Sequence, residues 1–291
     1  MTSKITSALE HRYIKTNGIQ LHVVLAGDPA NPPVLMLHGF PEFWYGWHHQ
    51  IDGLVEAGFY LIIPDQRGYN LSDKPNQISA YTLDELSRDA VGLLDALGLQ
   101  KAYLVSHDWG AAVAWWTAAR FADRFHRLTI LNVPHPSVMM EAIQSNPRQL
   151  LKSWYILFFQ IPKLPEFLMT VGGAQNAARM LFASGKPTTF DDADIAEYTR
   201  AWQQPNAMRS MIHWYRALMR NPVGLENEQI TIPTFIIWGK QDIALEFQSA
   251  EKSLDYCANG ELFVIEDATH WVQHDAPHTV TTLITNFLQK S

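Results

Sequence analysis

Short apolar runs alternate with stretches of helical periodicity along most of the chain. Residues 34–37, 60–63, 102–105, 128–131, 235–238 and 262–265 are apolar or β-branched runs bounded by Gly, Pro or Asp. That is the pattern of strands buried on both faces. In residues 83–97, Leu83, Leu86, Ala90, Leu93 and Leu97 recur on one helical face. Thr82 and Glu85 have capping-box spacing, and Gly98 follows as a terminator. A last helix carries Val280, Leu283, Ile284, Phe287 and Leu288 on one face. The alternation predicts an α/β fold with a mostly parallel sheet.

One segment breaks the pattern. From Pro134 to Pro222 the strand runs vanish and helical patterns dominate, with Pro134 and Pro136 at the entry and Pro222 at the exit. The expected organisation is an α/β core of residues 1–133 and 223–291 carrying an inserted helical cap of residues 134–222.

Composition narrows the function classes. The chain has 291 residues, 47% apolar and 18% charged, enough to bury a large core and too apolar for disorder. Lys plus Arg number 22 against 29 Asp plus Glu, a net charge of −7 with no basic run, which argues against nucleic acid or an anionic membrane as partner. The longest apolar runs are too short to span a bilayer, and residues 1–15, with Lys4, Glu10, His11 and Arg12, show no secretory leader. Cys257 is the single cysteine, so no internal disulfide forms, and a cytoplasmic location is expected. The sequence leaves monomer and homodimer equally open.

The chemistry concentrates at strand ends. The run 102–105 leads into Ser106-His107-Asp108-Trp109-Gly110 and then a helix. Small residues flank a central position at a strand–turn–helix junction, the layout of a nucleophile elbow. Alone, Asp108 could equally cap that helix. Two further strand ends add weight: Asp242 follows the run 235–238, and His270 follows the run 262–265. The chain order Asp108, Asp242, His270 is nucleophile, acid, base. Singly, the latter two read as a turn residue and a loop histidine. After the run 34–37, His38-Gly39-Phe40-Pro41 can aim a backbone N–H at the same place and, with the Trp109 N–H, form an oxyanion hole. His270, His274 and His278 recur every four residues, a spacing that chelates metal on a helix. Pro277 interrupts that helix and no Glu follows His270 as in zinc proteases, so no metal is expected.

An aspartate nucleophile limits the reaction. Attack by a carboxylate on a saturated carbon bearing a leaving group yields an ester, which water activated by His270 then splits. Epoxides and alkyl halides both suit. An opening epoxide needs an acid for its oxygen, and a tyrosine can supply it. Tyr215 lies on the stripe Met208, Met211, Ile212, Leu218 and Met219, and Tyr155 shares a face with Leu151, Phe158 and Phe159. Spacing alone is equally compatible with core tyrosines.

The sequence resembles an epoxide hydrolase of the α/β-hydrolase superfamily, in the capped branch with an aspartate nucleophile. The resemblance rests on His38-Gly39-Phe40-Pro41-Glu42, Asp65-Gln66-Arg67-Gly68-Tyr69, His107-Asp108-Trp109-Gly110-Ala111, Trp238-Gly239-Lys240-Gln241-Asp242 and His270. The segments around Tyr155 and Tyr215 resemble those bearing the family's epoxide-activating tyrosines. It implies Asp108 as nucleophile, Asp242 and His270 as the relay pair, Phe40 and Trp109 as amide donors, and Phe40, Trp109, Tyr155 and Tyr215 around a small apolar epoxide. Water is the co-substrate, and neither cofactor nor metal is implied. Haloalkane or haloacetate dehalogenation is the alternative. Phe40 lacks the side-chain donor that dehalogenases place after His-Gly, and haloacetate enzymes carry arginines where this chain has Trp109 and Ala112. A second alternative is a non-catalytic receptor for apolar ligands. Glu42 reads either as a positioner of the hydrolytic water or as a solvated, helix-start carboxylate.

Overall fold

The computed structural model describes residues 5–221 and 229–290. Pro222, the expected exit of the helical segment, lies outside the described residues. Eight strands form one sheet: β1 Leu9–Thr16, β2 Ile19–Ala26, β3 Pro33–Leu37, β4 Tyr60–Pro64, β5 Ala102–His107, β6 Phe125–Leu131, β7 Thr234–Gly239 and β8 Gly260–Ile265. Their spatial order is β1-β2-β4-β3-β5-β6-β7-β8. The pairs from β4 to β8 are parallel, and β1–β2 and β2–β4 are antiparallel. The six expected strands are β3 to β8, each extended by one to three residues at one or both ends.

The antiparallel β1–β2 pair was not expected. It turns at Asn17-Gly18, both with positive φ (43° and 75°), as a two-residue hairpin demands. The outward face of β1 is largely exposed, so its apolar signal is weak. The Asn-Gly pair was the available clue.

The helices, among the described residues, are α1 His48–Glu56, α2 Leu83–Ala96, α3 Trp109–Arg120, α4 Pro136–Ser145, α5 Pro147–Lys152, α6 Trp154–Phe158, α7 Leu164–Ser184, α8 Asp192–Trp202, α9 Ala207–Arg220, α10 Gln248–Ser253, α11 Val272–Asp275 and α12 Pro277–Leu288. Thr82 caps α2 by accepting from the Glu85 N–H at 3.4 Å, while the Glu85 carboxylate accepts from Arg88 (2.6 Å) and Asn17 (3.0 Å) instead of closing a capping box. Gly98, at φ 72°, ends α2. Pro277 opens α12 and separates it from α11.

Helices α4 to α9 fill the interval between β6 and β7. Within α7 the path breaks at residues 171–174, where Gly172, Gly173 and Ala174 take positive φ. No helix among the described residues is long and apolar enough to cross a membrane.

The strand cores of β3, β4, β5 and β7 are almost wholly buried. Trp115 and Trp116 of α3 pack under them with no exposed surface. The motif around Asp65 to Tyr69 belongs to this scaffold. Arg67 grips Asp89 through two short bonds (2.7 and 2.6 Å), and Asp65 accepts from the Trp44 N–H (3.1 Å) and Asn70 (2.8 Å).

Candidate active site

Five loops leave the carboxyl ends of β3, β5, β6, β7 and β8, the edge where open α/β sheets present ligand-binding groups. Asp108 sits at the tip of the β5–α3 turn with φ 48° and ψ −124°. A non-glycine residue in that region carries about 1–3 kcal/mol of strain, so the surroundings must hold it. Crowding shows how. A Cβ on Gly110 would meet the Leu37 and His38 carbonyl oxygens at 2.3 and 2.5 Å, and one on Gly39 would meet the Asp108 Cβ at 2.3 Å. Only glycine fits at these two positions. Asp108 occupies the N-cap position of α3 but its side chain makes no capping hydrogen bond. It points away from the helix, against the capping alternative.

The carboxylate is gripped from two sides. Phe40 N–H donates to Asp108 Oδ1 at 2.6 Å, and His270 Nε2 lies 3.3 Å from Asp108 Oδ2. Trp109, the other expected amide donor, begins α3 directly after Asp108; among the described residues its N–H makes no hydrogen bond to the carboxylate. On the far side of the imidazole, His270 Nδ1 lies 2.7 Å from Asp242 Oδ2. Asp242 Oδ1 accepts from the Ala244 and Leu245 N–H groups at 2.7 and 2.9 Å. Its Oδ2 also accepts from Asn132 Nδ2 at 2.7 Å.

Asn132 was not anticipated. It follows β6 at φ 49° and accepts the Gly239 N–H at 2.8 Å through Oδ1. It therefore ties the ends of β6 and β7 together and holds the acid at once. Its clue was positional: a polar residue tolerant of positive φ directly after a buried strand.

Electrostatics follow from this geometry. Burial opposes a charged His270, but the charge of Asp242 and hydrogen bonds to Asp108 and Asp242 overcome it and push the imidazolium up to about 10. Burial likewise opposes ionisation of Asp108, yet His270, His107 and the Phe40 N–H hold its carboxyl below the ordinary 3.8. Asp242 is lowered in the same way, against burial, chiefly by the charge of His270. The ground state is an imidazolium between two carboxylates.

Glu42 is 1% exposed, so the solvated reading is corrected. It accepts from Tyr198 Oη at 2.7 Å, Gln273 Nε2 at 3.1 Å and His274 Nε2 at 2.8 Å, and lies 3.2 Å from His107 Nδ1. His107 Nε2–H in turn donates to the His270 carbonyl at 2.9 Å.

Two cavities meet at Asp108. One, of about 550 Å³, is lined by Phe40, Tyr155, Phe159, Tyr215, His270 and Trp271 among others. The second, of about 140 Å³, shares Asp108, Tyr155 and Tyr215 and continues along Trp109, Met139 and Leu245. Tyr215 is 4% exposed and Tyr155 half-buried. Their rings meet edge-on at 5.8 Å, and Tyr215 packs against Phe40 (5.2 Å) and Trp109 (4.9 Å). Burial, and then the charge of Asp108, raise both phenols well above their ordinary range, so both keep their protons at neutral pH.

The expected stripes hold in part. Met208, Met211 and Ile212 are buried, but Met219 is 48% and Leu151 74% exposed. Phe159 lines the larger cavity. Trp202 is buried and donates Nε1–H to the Pro41 carbonyl at 2.6 Å. His270 and His274 are buried, whereas His278 is exposed on α12. The four-residue histidine spacing thus does not make a chelating face.

Residues 32–277 match the α/β hydrolase fold family. The chain is 41% identical to the AB hydrolase superfamily protein YfhM of Bacillus subtilis over 278 residues, 96% of this chain and 97% of that protein. It is 36% identical to human epoxide hydrolase 4 over 95% of this chain and 78% of the relative. A Bacillus megaterium epoxide hydrolase, solved with its product (R)-3-[1]naphthyloxy-propane-1,2-diol, superposes with a TM-score of 0.88 at 31% identity, covering 96% of this chain and all of that one. Epoxide hydrolase A of Mycobacterium thermoresistibile gives 0.87 at 29% identity, covering 97% and 98%. The chain belongs to the α/β-hydrolase fold family and, within it, to the epoxide hydrolases.

Proposed function

We propose that the chain converts small apolar epoxides to vicinal diols through an ester on Asp108, with residues 134–222 acting as the cap over a core of 1–133 and 223–291. One observation carries the reading. The Asp108 carboxylate, hydrogen-bonded to Phe40 N–H at 2.6 Å and 3.3 Å from His270 Nε2, shares its cavity with two protonated tyrosines.

The steps follow from the atoms present. An Asp108 oxygen attacks a ring carbon and the carbon–oxygen bond of the epoxide breaks. Tyr155 and Tyr215 hydrogen-bond the opening oxygen, and one of them transfers its proton to the forming alkoxide. Esterification removes the negative charge that helped hold the proton on His270. The imidazolium becomes acidic and its proton restores the tyrosine. Neutral His270, oriented by Asp242, then takes a proton from water. The hydroxide attacks the Asp108 carbonyl carbon, and the Phe40 N–H, with the Trp109 N–H as second donor, stabilises the oxyanion. The acyl–oxygen bond breaks and the diol oxygen takes the proton from His270; the remaining water proton passes from the new Asp108 carboxyl to His270, which restores the imidazolium and leaves the water oxygen in the carboxylate.

The test is a two-part labelling experiment with an aryl epoxide. In His270→Ala, intact mass should rise by the mass of the epoxide, on a peptide containing Asp108. In the parent protein, repeated turnover in heavy-oxygen water should place the label in the Asp108 carboxyl. Diol formed steadily with no label there sinks the covalent route. Halide release without diol formation would instead select the dehalogenase reading.

A further inference from the structure

Beyond the catalytic edge, three histidines converge where α1 packs on α11. His48 and His49 open α1, and His274 lies in α11. One ring nitrogen from each lies within 4.8 Å of the others. The ring centroids of His48 and His49 are 3.8 Å apart, and each is 5.7 Å from that of His274.

The hydrogen bonds assign one ring nitrogen of each buried histidine as a donor. His48 Nδ1 lies 2.8 Å from the Tyr45 carbonyl oxygen. A carbonyl only accepts, so Nδ1 carries the proton and Nε2 is a bare lone pair. His274 Nε2 lies 2.8 Å from Glu42 Oε1, so that nitrogen is a donor and Nδ1 is the ring nitrogen left for a ligand. His48 Nε2 and His274 Nδ1 are both buried without a hydrogen-bond partner, in residues only 2% and 5% exposed. Buried polar nitrogens without partners are costly and rare. A carbonyl or carboxylate on the distal ring nitrogen is the outer-shell arrangement that orients a metal-ligating imidazole and raises its basicity. Both buried histidines have it. His49 is half-buried and gives the cluster a way out to solvent. Asp194 Oδ1, 3.6 Å from His48 Nε2, adds negative charge beside the cluster.

We propose that His48, His49 and His274 bind one divalent transition-metal ion, with zinc as the fitting member of the class. Imidazole donors favour zinc, copper, nickel or iron over magnesium and calcium, which take oxygen ligands. Zinc–nitrogen bonds of about 2.0–2.1 Å require the three nitrogens to draw closer than they stand here. The ion takes no part in the chemistry at Asp108. Through Glu42 it braces α11, which starts two residues after His270, and so the loop that carries the base.

The probe is zinc ion alone on the untagged full-length chain. The protein is stripped with a chelator, dialysed against zinc, freed of excess and analysed for metal per chain. Cobalt is used in parallel for the visible absorption of a nitrogen-ligated site. The expected result is one zinc per chain, with affinity falling at least about tenfold in His49→Gln, a change exceeding or matching loss of an outer-shell group. His278→Gln, at an exposed histidine, should bind as the parent does. Circular dichroism checks the fold of each variant, and His274→Gln provides a second ligand deletion. No zinc retained by the parent overturns the proposal. So does retention of parental affinity by folded His49→Gln, or an equal loss in His278→Gln.

Discussion

The two walls of the cavity hold their functional groups by different means. On the sheet side, direction is set by hydrogen bonds to charged atoms. Asp242 accepts from two backbone amides, Asn132 and His270, and Asp108 is gripped by the Phe40 N–H and His270 at a strained turn. On the helical side, position is set by packing of rings. Tyr215 touches Phe40, Trp109, Tyr155 and Phe159 at centroid distances of 4.8 to 5.8 Å. Residues of the same wall such as Leu151 and Trp154 are 74 and 62% exposed. Charge-assisted hydrogen bonds are directional and strong, whereas apolar contact tolerates a change of shape if volume is kept. Under the proposed mechanism, the sheet side places the reacting charges, and the helical side accepts substrate shape and delivers a proton.

The sharpest way to break this division is to remove the charge at its centre. Asp108→Ala is expected to lower diol formation by roughly 10⁴-fold or more while the fold persists, because members of such a catalytic unit fail together. Turnover within tenfold of the parent would place the reacting group elsewhere. The helical wall comes next. Tyr155→Phe with Tyr215→Phe should reduce turnover by about 10²–10⁴-fold, the range of general acid catalysis, and each single change by less. Steady-state kinetics with one aryl epoxide check both. If the double variant instead raised KM and spared kcat, the tyrosines would be shape-filling rings like their neighbours.

Asn132→Ala tests whether the sheet wall depends on side chains as well as strand ends. It removes a donor from Asp242 and an acceptor for the Gly239 N–H. Leaving buried groups unsatisfied costs about 1–3 kcal/mol. Melting temperature should fall, with kcat dropping on the order of tenfold as His270 loses its fixed partner. An unchanged kcat beside a lowered melting temperature would limit Asn132 to bracing β6 against β7.

These contrasts explain what could be read beforehand. Asp108, Asp242 and His270 were legible because each follows a strand whose apolar run is unmistakable, and strand ends in a parallel sheet share one edge. Asn132 occupies an equivalent position but carries no reactive group, so nothing but its place marked it. Glu42 was ambiguous because burial, not sequence spacing, makes it an acceptor for Tyr198, Gln273 and His274. The helical wall was less legible. Periodicity put Met211 and Tyr215 on one face, yet only packing shows that Tyr215 lines the cavity while Met211 is sealed in the core. The N-terminal hairpin escaped notice because β1 is mostly exposed. Histidine spacing along one helix drew His274 toward His278, whereas folding places it beside His48 and His49, more than two hundred residues earlier.

The smallest expected effect is a pH dependence confined to the sheet wall. His270 is raised in the folded chain from 6.5 to about 10. A raised folded value means the folded state binds the proton more tightly than the unfolded one. The stabilisation is therefore complete below about pH 6.5 and is lost as pH climbs toward 10. Melting temperature of the parent should decline across that window more steeply than that of His270→Gln. Asp108→Ala should show an intermediate slope, since one of the two carboxylates holding the proton is gone. Tyr155→Phe changes no charge below pH 10 and should follow the parent closely. Equal slopes for the parent and His270→Gln would mean that the imidazolium is not held between the two aspartates in the resting protein, and the comparison would lose its electrostatic half.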